Sequence, residues 1–553
     1  MNPATAGLLQ IALLLVALAL SYRPLGSYLA RVYDSPVHNR AERVVYRICG
    51  VDPEAQQRWT GYATGVLCLF GVSAFLLYAL QRAQGVLPGG QGRPAVPPDT
   101  AFTTAIGYAT NTDWQSQPPE VTTGNTLLLA GLTVQNFLSA AVGVAVAVAL
   151  VRGLARERTD RIGNVWVDVT RGVVRVFLPL AFLGAVVLLV GGVVMSFAGP
   201  VVVTALDGAQ HRVPLAPVAA IESVKLLGSN GGGLYGANSA HPFENPSALT
   251  NLVQVYLMLL VPVALLRTFG VMVGDHRQSR PLVSVVAVVA AAVLCLVWAV
   301  ESRVPRGAAQ VAGAALEGRE SRFGVFGSAL FAVAATGTST GAENAAHNTF
   351  GGLAVAGLLV NMVLGEIAPG GVGNGLHALL VVALLAVFLA SLMVGRTPEY
   401  LGKKIGRVEL SAVSVAVLTM PLLVLTGTAA ALALPTTRDA LAEDGPAGVT
   451  AVLYTYASAA NNNGGAFGGL DVGGGYVQVT VGLVMAFGRF LPALAVLRLA
   501  GAFAEQGRSP VTAGTLPTTG PLFGALLAGV AVLVAALTFL PALALGPLAG
   551  ALG

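Results

Sequence analysis

The chain is built from long apolar runs separated by short polar clusters. It shows neither the strict alternation of half-buried strands nor the narrow stripe of a water-facing helix. Runs near the roughly 20 residues that a helix needs to cross a bilayer fall near 5–22, 61–82, 127–151, 173–198, 248–272, 281–300, 350–368, 374–395, 409–434, 476–498 and 520–545. Only Pro369, Gly370, Gly371, Val372 and Gly373 separate the pair 350–368 and 374–395, which reads as one broken segment. The expectation is an all-α polytopic membrane protein with about ten crossing elements, one of them interrupted.

The polar clusters repeat. Four loops on one side each hold an apolar stretch of about 10–14 residues, too short to span, then a cluster of Gly, Asn, Thr and Ser, then another span. They read TAFTTAIGYATNTDWQ (100–115), VAAIESVKLLGSNGGG (218–233), GSALFAVAATGTSTGA (327–342) and VTAVLYTYASAANNNGG (449–465). One such loop is ordinarily a turn. Four at matching places predict an internal repeat of helix, re-entrant helix, loop and helix. The expected partition is an N-terminal span with its loop (1–60), units at 61–152, 173–273, 281–395 and 409–500, and a C-terminal loop and span (501–553).

Composition removes the soluble alternatives. Of 553 residues 55% are hydrophobic and only 10% charged, with a mean hydropathy of +0.74, against about a quarter charged in soluble domains. With 23–60 inside, 21 of the 31 basic residues lie in segments of that side. This predicts long loops and the N-terminus outside and short basic loops in the cytoplasm. No cytosolic stretch is large enough for ATP, neither a P-loop nor an Asp-Lys-Thr-Gly-Thr motif occurs, and nucleic acid is not suggested. Cys68 and Cys295 sit in apolar stretches and, like Cys49, are expected to be buried, inert thiols.

A helix that ends inside a membrane leaves its last carbonyls unpaired, which is tolerated only within protein or beside a watery cavity. Four such ends aimed at one axis bring the negative ends of four dipoles together. Loops rich in Gly, Thr, Ser and Asn add neutral oxygens that replace a cation's water. A divalent site normally shows clustered carboxylates. Here only Asp113 and Glu343 stand near the clusters, so the pattern favours a monovalent cation.

The segments TNTDWQ (110–115), AGLTVQNFLSAA (130–141), SNGGGLYGANSAHPFENP (229–246), VGRTPEYLGKKI (394–405), SAANNNGGAF (458–467) and GTLPTTGPLF (514–523) resemble the KdpA family. KdpA is the potassium-binding, channel-like subunit of the Kdp potassium-transporting P-type ATPase, distantly similar to the Trk/Ktr/HKT transporters. The resemblance implies a non-catalytic subunit in the bacterial cell membrane. It would take K+ from outside through a selectivity filter and pass it by an intramembrane tunnel to KdpB, which binds and hydrolyses ATP. KdpC and the small KdpF complete the complex, and no organic cofactor is implied. The matching filter positions are Thr110, Asn111, Thr112 and Asp113, then Ser229, Asn230, Gly231 and Gly232, then Ser339, Thr340, Gly341 and Ala342, then Asn461, Asn462, Asn463 and Gly464. Gln115 matches a glutamine linked to ion affinity. Asp113 and Thr340 depart from the pattern, standing where Asn and Cys are found.

Other residues carry two readings each. Arg489, inside a span, is a fixed charge limiting passage to the cytoplasm or a partner for a helix end. Gly370, Gly371 and Gly373 form an intramembrane gate, with Glu366 at the tunnel entrance, or an ordinary loop. Arg396, Lys403 and Lys404 dock KdpB or anchor the chain at the membrane surface. His241 and Glu244 are expected to be loop hydrogen-bonders, not a metal site. A self-contained Trk/Ktr-type channel and a secondary solute carrier remain the alternatives.

Overall fold

Each long apolar run is a helix, and the departures from expectation lie in where each begins and ends. A computed structural model describes residues 3–303, 316–365, 367–510 and 514–552. Among these, ten helices are long and apolar enough to cross a membrane, and the chain is a multi-pass membrane protein. The first runs Ala4–Asp34, past Arg23 and Pro24. A proline inside a helix loses one backbone bond. Here the turn beyond it is held by the helix Ala248–Met272, where the Thr268 hydroxyl donates to Gly26 O at 3.0 Å. The expected 173–198 span begins earlier, at Val165, because Asn164 Oδ1 accepts from the N–H groups of Trp166 and Val167.

Two short two-stranded pieces qualify the all-α reading. Val201–Thr204 pairs antiparallel with Gln210–Val213, and Glu399–Tyr400 with Lys403–Lys404. The first follows from a run of β-branched valines returning through Asp207-Gly208, a hairpin signal. The run expected at 350–368 is helical only over Gly352–Val363, too short to cross alone, and Asn374–Met393 follows it.

Helix Thr133–Ala155 lies at the centre: its span is 83% buried, against 11% for the first helix. Its run of Ala, Gly and Val lets neighbouring backbones approach closely, and it packs on Gly475–Glu505. Leu8, Leu13, Phe75, Phe182 and Leu537 on outer helices stay exposed, as lipid-facing positions should. All three cysteines are exposed, which corrects the expectation of buried thiols: Cys68 and Cys295 lie on spans, where an apolar face points outward as readily as inward, and Cys49 ends the short polar helix Arg40–Cys49.

At one end of the bundle the Arg152 guanidinium grips Asp168 through two bonds of 2.6 and 2.9 Å and donates to Tyr33 O at 2.7 Å. The Tyr62 hydroxyl donates to the same carboxylate at 3.0 Å. This joins four helices in one buried contact. Removing one member of such a pair typically costs about 3–5 kcal/mol, whereas replacing both with apolar groups costs far less. Arg152→Gln should therefore lower the melting temperature of the purified protein well below that of an Arg152→Met, Asp168→Leu double variant. Equal melting temperatures would refute a stabilising role for the pair.

Candidate functional site

Four short helices, Pro98–Ala109, Val218–Leu227, Gly324–Gly337 and Gly445–Ala460, end in the same turn. The N–H groups of Thr112, Asn230, Thr340 and Asn463 donate five residues back, to the carbonyls of Gly107, Lys225, Ala335 and Ser458, at 2.9, 2.9, 3.0 and 2.8 Å. The residue before each donor is left-handed: Asn111, Ser229, Ser339 and Asn462 have φ of 68, 52, 52 and 54°. This turn sets the register of the four ribbons as Thr110–Asp113, Gly228–Gly231, Thr338–Gly341 and Asn461–Gly464. The sequence-based quartets in the second and third units, Ser229 to Gly232 and Ser339 to Ala342, begin one residue after the position equivalent to Thr110 in this turn. Gly232 and Ala342 fall just beyond the ribbons, and Gly228 and Thr338 enter them. The register is fixed by backbone handedness, which runs of Gly, Ser and Asn do not reveal.

The ribbons meet. A Cβ on Gly231 would lie 2.7 Å from the Gly341 Cα, one on Gly341 3.0 Å from Asn463 O, and one on Gly464 only 1.8 Å from Thr112 O. Amides tie the ring together from behind. Asn111 Nδ2 donates to Ser229 O at 2.8 Å, Asn230 Nδ2 to Asn111 Oδ1 at 2.9 Å, Asn462 Nδ2 to Thr112 Oγ1 at 2.9 Å, and Asn463 Nδ2 to Ala335 O at 3.2 Å. The hydroxyl oxygens of Ser229 and Ser339, at matching places, are buried without a hydrogen-bond partner among the described residues.

Next to the ring lies the segment that breaks the third unit. Gly370 N–H donates to Gly337 O at 2.7 Å, and a Cβ on Gly371 would sit 3.1 Å from Thr338 O. Gly373, at φ 84°, presses on Gly143 of the central helix, where a Cβ would lie 2.1 Å from Gly143 O. Arg489 donates to Ser139 O at 3.3 Å on that helix. Arg489, Gly365, Asn374, His377, Asn461 and Asn462 all line one cavity of about 120 Å³. The glycine loop, the arginine and the fourth ribbon, far apart in sequence, thus converge. Glu366 lies outside the described residues.

A model of the family described as "KdpA: Potassium-transporting ATPase A subunit" matches residues 12–552. The chain belongs to the KdpA family. Similar relatives are named "Potassium-transporting ATPase potassium-binding subunit". That of Nocardia farcinica is 54% identical over 560 residues with all of both chains covered. That of Rhodococcus erythropolis is 53% identical with the same coverage. That of Streptomyces coelicolor is 51% identical over 549 residues with 99% of each covered. Among solved structures, the potassium transporter TrkH of Vibrio parahaemolyticus shares the fold, with a TM-score of 0.51 at 15% identity over 88% of this chain and 96% of that one.

In this KdpA chain the departures from the family pattern have a geometric place. Asp113 Oδ2 accepts from Asn230 Nδ2 at 2.8 Å and from Gly231 N at 3.2 Å, so its carboxylate ties the first ribbon to the second. With the Asn136 amide turned nitrogen-inward, its Nδ2 donates to Asp113 Oδ1 at 2.9 Å. Thr340 Oγ1 lies 2.8 Å from Thr338 Oγ1, repeating the pair Thr110 and Thr112 at 2.9 Å. Gln115 clamps Gly233 from both sides, accepting from its N–H at 3.0 Å and donating to its carbonyl at 3.3 Å.

From the sequence Lys403 reads, with Arg396 and Lys404, as a docking or membrane-anchoring cation. It is fully buried, and its ammonium donates to the carbonyls of Arg156, Phe503 and Gln506 at 2.6, 2.9 and 2.7 Å. The loop must close around it to satisfy three helix-end carbonyls. Lys404 is exposed and Arg396 half-buried. His241 stacks on Tyr235 at 3.8 Å and its Nδ1 accepts from Phe243 N at 3.1 Å; burial holds this imidazole below its ordinary pKa. Sequence reasoning passed over His377 and the buried pair Glu222 and Lys225, which Glu244, read from the sequence as a loop hydrogen-bonder, joins. The signal was present: charged Glu222 and Lys225 stand inside a stretch read as re-entrant, where charges are rare.

The ring predicts a sharp glycine requirement. Gly464→Ala combines a left-handed φ of 86° with a Cβ in the place of Thr112 O. It should abolish the potassium-dependent rise in melting temperature, a stabilisation of about 2.7 kcal/mol at a hundred times Kd. Gly474→Ala, with φ −73° and nothing within 4 Å of the added Cβ, should leave that rise unchanged. A normal potassium response in Gly464→Ala would refute the ring as the binding element.

Proposed function

We propose that this chain is the potassium-binding subunit of an ATP-driven uptake pump in the bacterial cell membrane. It strips water from extracellular K+ in the ring of four ribbons and delivers the ion along an intramembrane path to an ATP-hydrolysing partner. The observation that carries the reading is the chain of close approaches from Gly231 to Gly341, Gly341 to Gly464 and Gly464 to Thr112. Because side-chain amides lash the ribbons together, backbone carbonyls and the two unpartnered serine hydroxyls are left to coordinate. Neutral oxygens in a fixed ring suit a large, weakly hydrated monovalent ion. The four helix C-termini supply negative potential, and the one carboxyl group of the ribbons, Asp113, is engaged by Asn230 and Gly231 and not clustered with others as at a divalent site.

Arg489 and the segment of Gly370, Gly371 and Gly373 form the floor in this reading. A guanidinium beside a narrow cavity repels a second cation and closes the straight route inward, so the ion leaves sideways. Glu366 is assigned to that exit from the sequence. Hydrolysis belongs to the partner KdpB, with KdpC and KdpF completing the complex, and ATP is bound by the partner alone. Arg396 and Lys404 remain candidates for its docking. The N-terminus is placed outside by the basic asymmetry of the loops, and the four units are taken at 61–152, 173–273, 281–395 and 409–500.

Purification from the native host tests this directly. A co-isolated P-type ATPase chain should appear, and ATP hydrolysis should rise with potassium and respond to rubidium more than to sodium. A stable homodimer that passes potassium with no associated ATPase would overturn the proposal. In liposomes, the complex carrying Arg489→Gln should leak potassium without ATP, by about tenfold or more over wild type if the charge supplies about 1.4 kcal/mol of barrier. Unchanged leak would remove Arg489 from the floor.

A further inference from the structure

Beside the second ribbon, Lys225 is held in a pocket with no solvent access. It projects from the short helix Val218–Leu227, its own carbonyl accepts from Asn230 N, and its side chain is fully buried with Glu222. Glu222 contacts the ammonium from one turn back, Glu244 Oε2 lies 3.3 Å away, and Asn238 Oδ1 accepts at 2.9 Å. Two carboxylates against one ammonium is an expensive arrangement to bury. The remaining partner of the ammonium is Gly232 O, at 3.3 Å, and the same oxygen accepts from Asn238 Nδ2 at 3.3 Å.

Gly232 is the first residue beyond the second ribbon. Its carbonyl, bonded to two donors, is turned toward the lysine; the N–H of the same peptide, that of Gly233, donates to Gln115 Oε1, and Gln115 Nε2 holds the carbonyl of the next peptide. Gly232 also has φ 67°, and a Cβ there would lie 2.1 Å from the Tyr108 hydroxyl, so the peptide has little room to rotate. Consecutive peptide planes are coupled through two torsions. Fixing the 232 carbonyl away from the axis therefore fixes the orientation of the Gly231 peptide that precedes it.

We propose that Lys225 is a positioning residue for cation binding. Its ammonium, aimed by Glu222 and Glu244, draws the Gly232 carbonyl out of the ring, ends the run of coordinating oxygens in the second ribbon at Gly231, and so sets the ring's affinity and its discrimination by ion size. The inference rests on the reading of the ring as the potassium site. Lys225 touches no ion itself and acts through the peptide it holds.

The test uses the intact ATPase complex and measures half-saturating potassium, maximal ATP hydrolysis, and the ratio of half-saturating rubidium to potassium. In Lys225→Met, half-saturating potassium should rise about tenfold with the maximal rate within about twofold, the signature of lost ion binding and not of lost chemistry. The rubidium to potassium ratio should move toward one, which a role confined to stability would not produce. Lys225→Arg, which keeps the charge with altered geometry, should restore part of the affinity. Asn238→Gly, which keeps the left-handed φ of 52° and removes the second donor to Gly232, should shift the same ratio in the same direction. An assembled Lys225→Met complex with unchanged affinity and ratio overturns the proposal. If that variant does not assemble, an Asn238→Gly complex with wild-type affinity and ratio does so. A wild-type complex without potassium-stimulated hydrolysis would instead overturn the underlying reading of the ring.

Discussion

Helix ends inside a membrane have carbonyls with no water to receive, and this constraint organises the molecule. Four short helices stop at Ala109, Leu227, Gly337 and Ala460, and each reverses through a left-handed residue so that its last carbonyls gain partners within the turn. The reversal carries four polar ribbons into contact. Once there, they are stable only because each is bonded to its neighbour, and a ring of oxygens with negative potential is the by-product. In the proposed function, binding a cation and satisfying the backbone are two aspects of one geometry.

The ring depends on hydrogen bonds between its ribbons and from residues beside them. Asp113 binds the second ribbon from the first, Asn462 binds the first from the fourth, Gln115 holds Gly233, and Lys225 holds Gly232. These contacts are buried and charged or strongly polar, so each is costly to leave unmatched. That cost favours one arrangement of the loops over a set of similar ones. The same principle recurs where Arg152 and Asp168, with Tyr33 and Tyr62, lock four helices, and in the loop that closes on Lys403.

The broken third unit shows how one irregular segment gains meaning from its neighbours. In isolation, Pro369 to Gly373 is a flexible connection. In the folded chain it lies against Thr338 of one ribbon and Gly143 of the central helix, on the same helix that Arg489 reaches through Ser139. A glycine-rich segment fits there because the backbones approach too closely for side chains.

Hydropathy alone determined the spans, and the spacing of four Gly/Asn/Thr clusters determined the repeat, because both follow from the cost of placing polar groups in lipid. The six quoted segments likewise pointed to the family. Tertiary structure decided the register of the ribbons, since a left-handed turn can use Asn or Ser as readily as Gly and leaves no fixed letter in the sequence. It also decided that Lys403 is buried while Lys404 is not, that the cysteines face outward, and that Lys225 meets Gly232. Those outcomes depend on which distant backbone comes to lie within about 3 Å, the reach of a hydrogen bond, and no local pattern of residues encodes that distance.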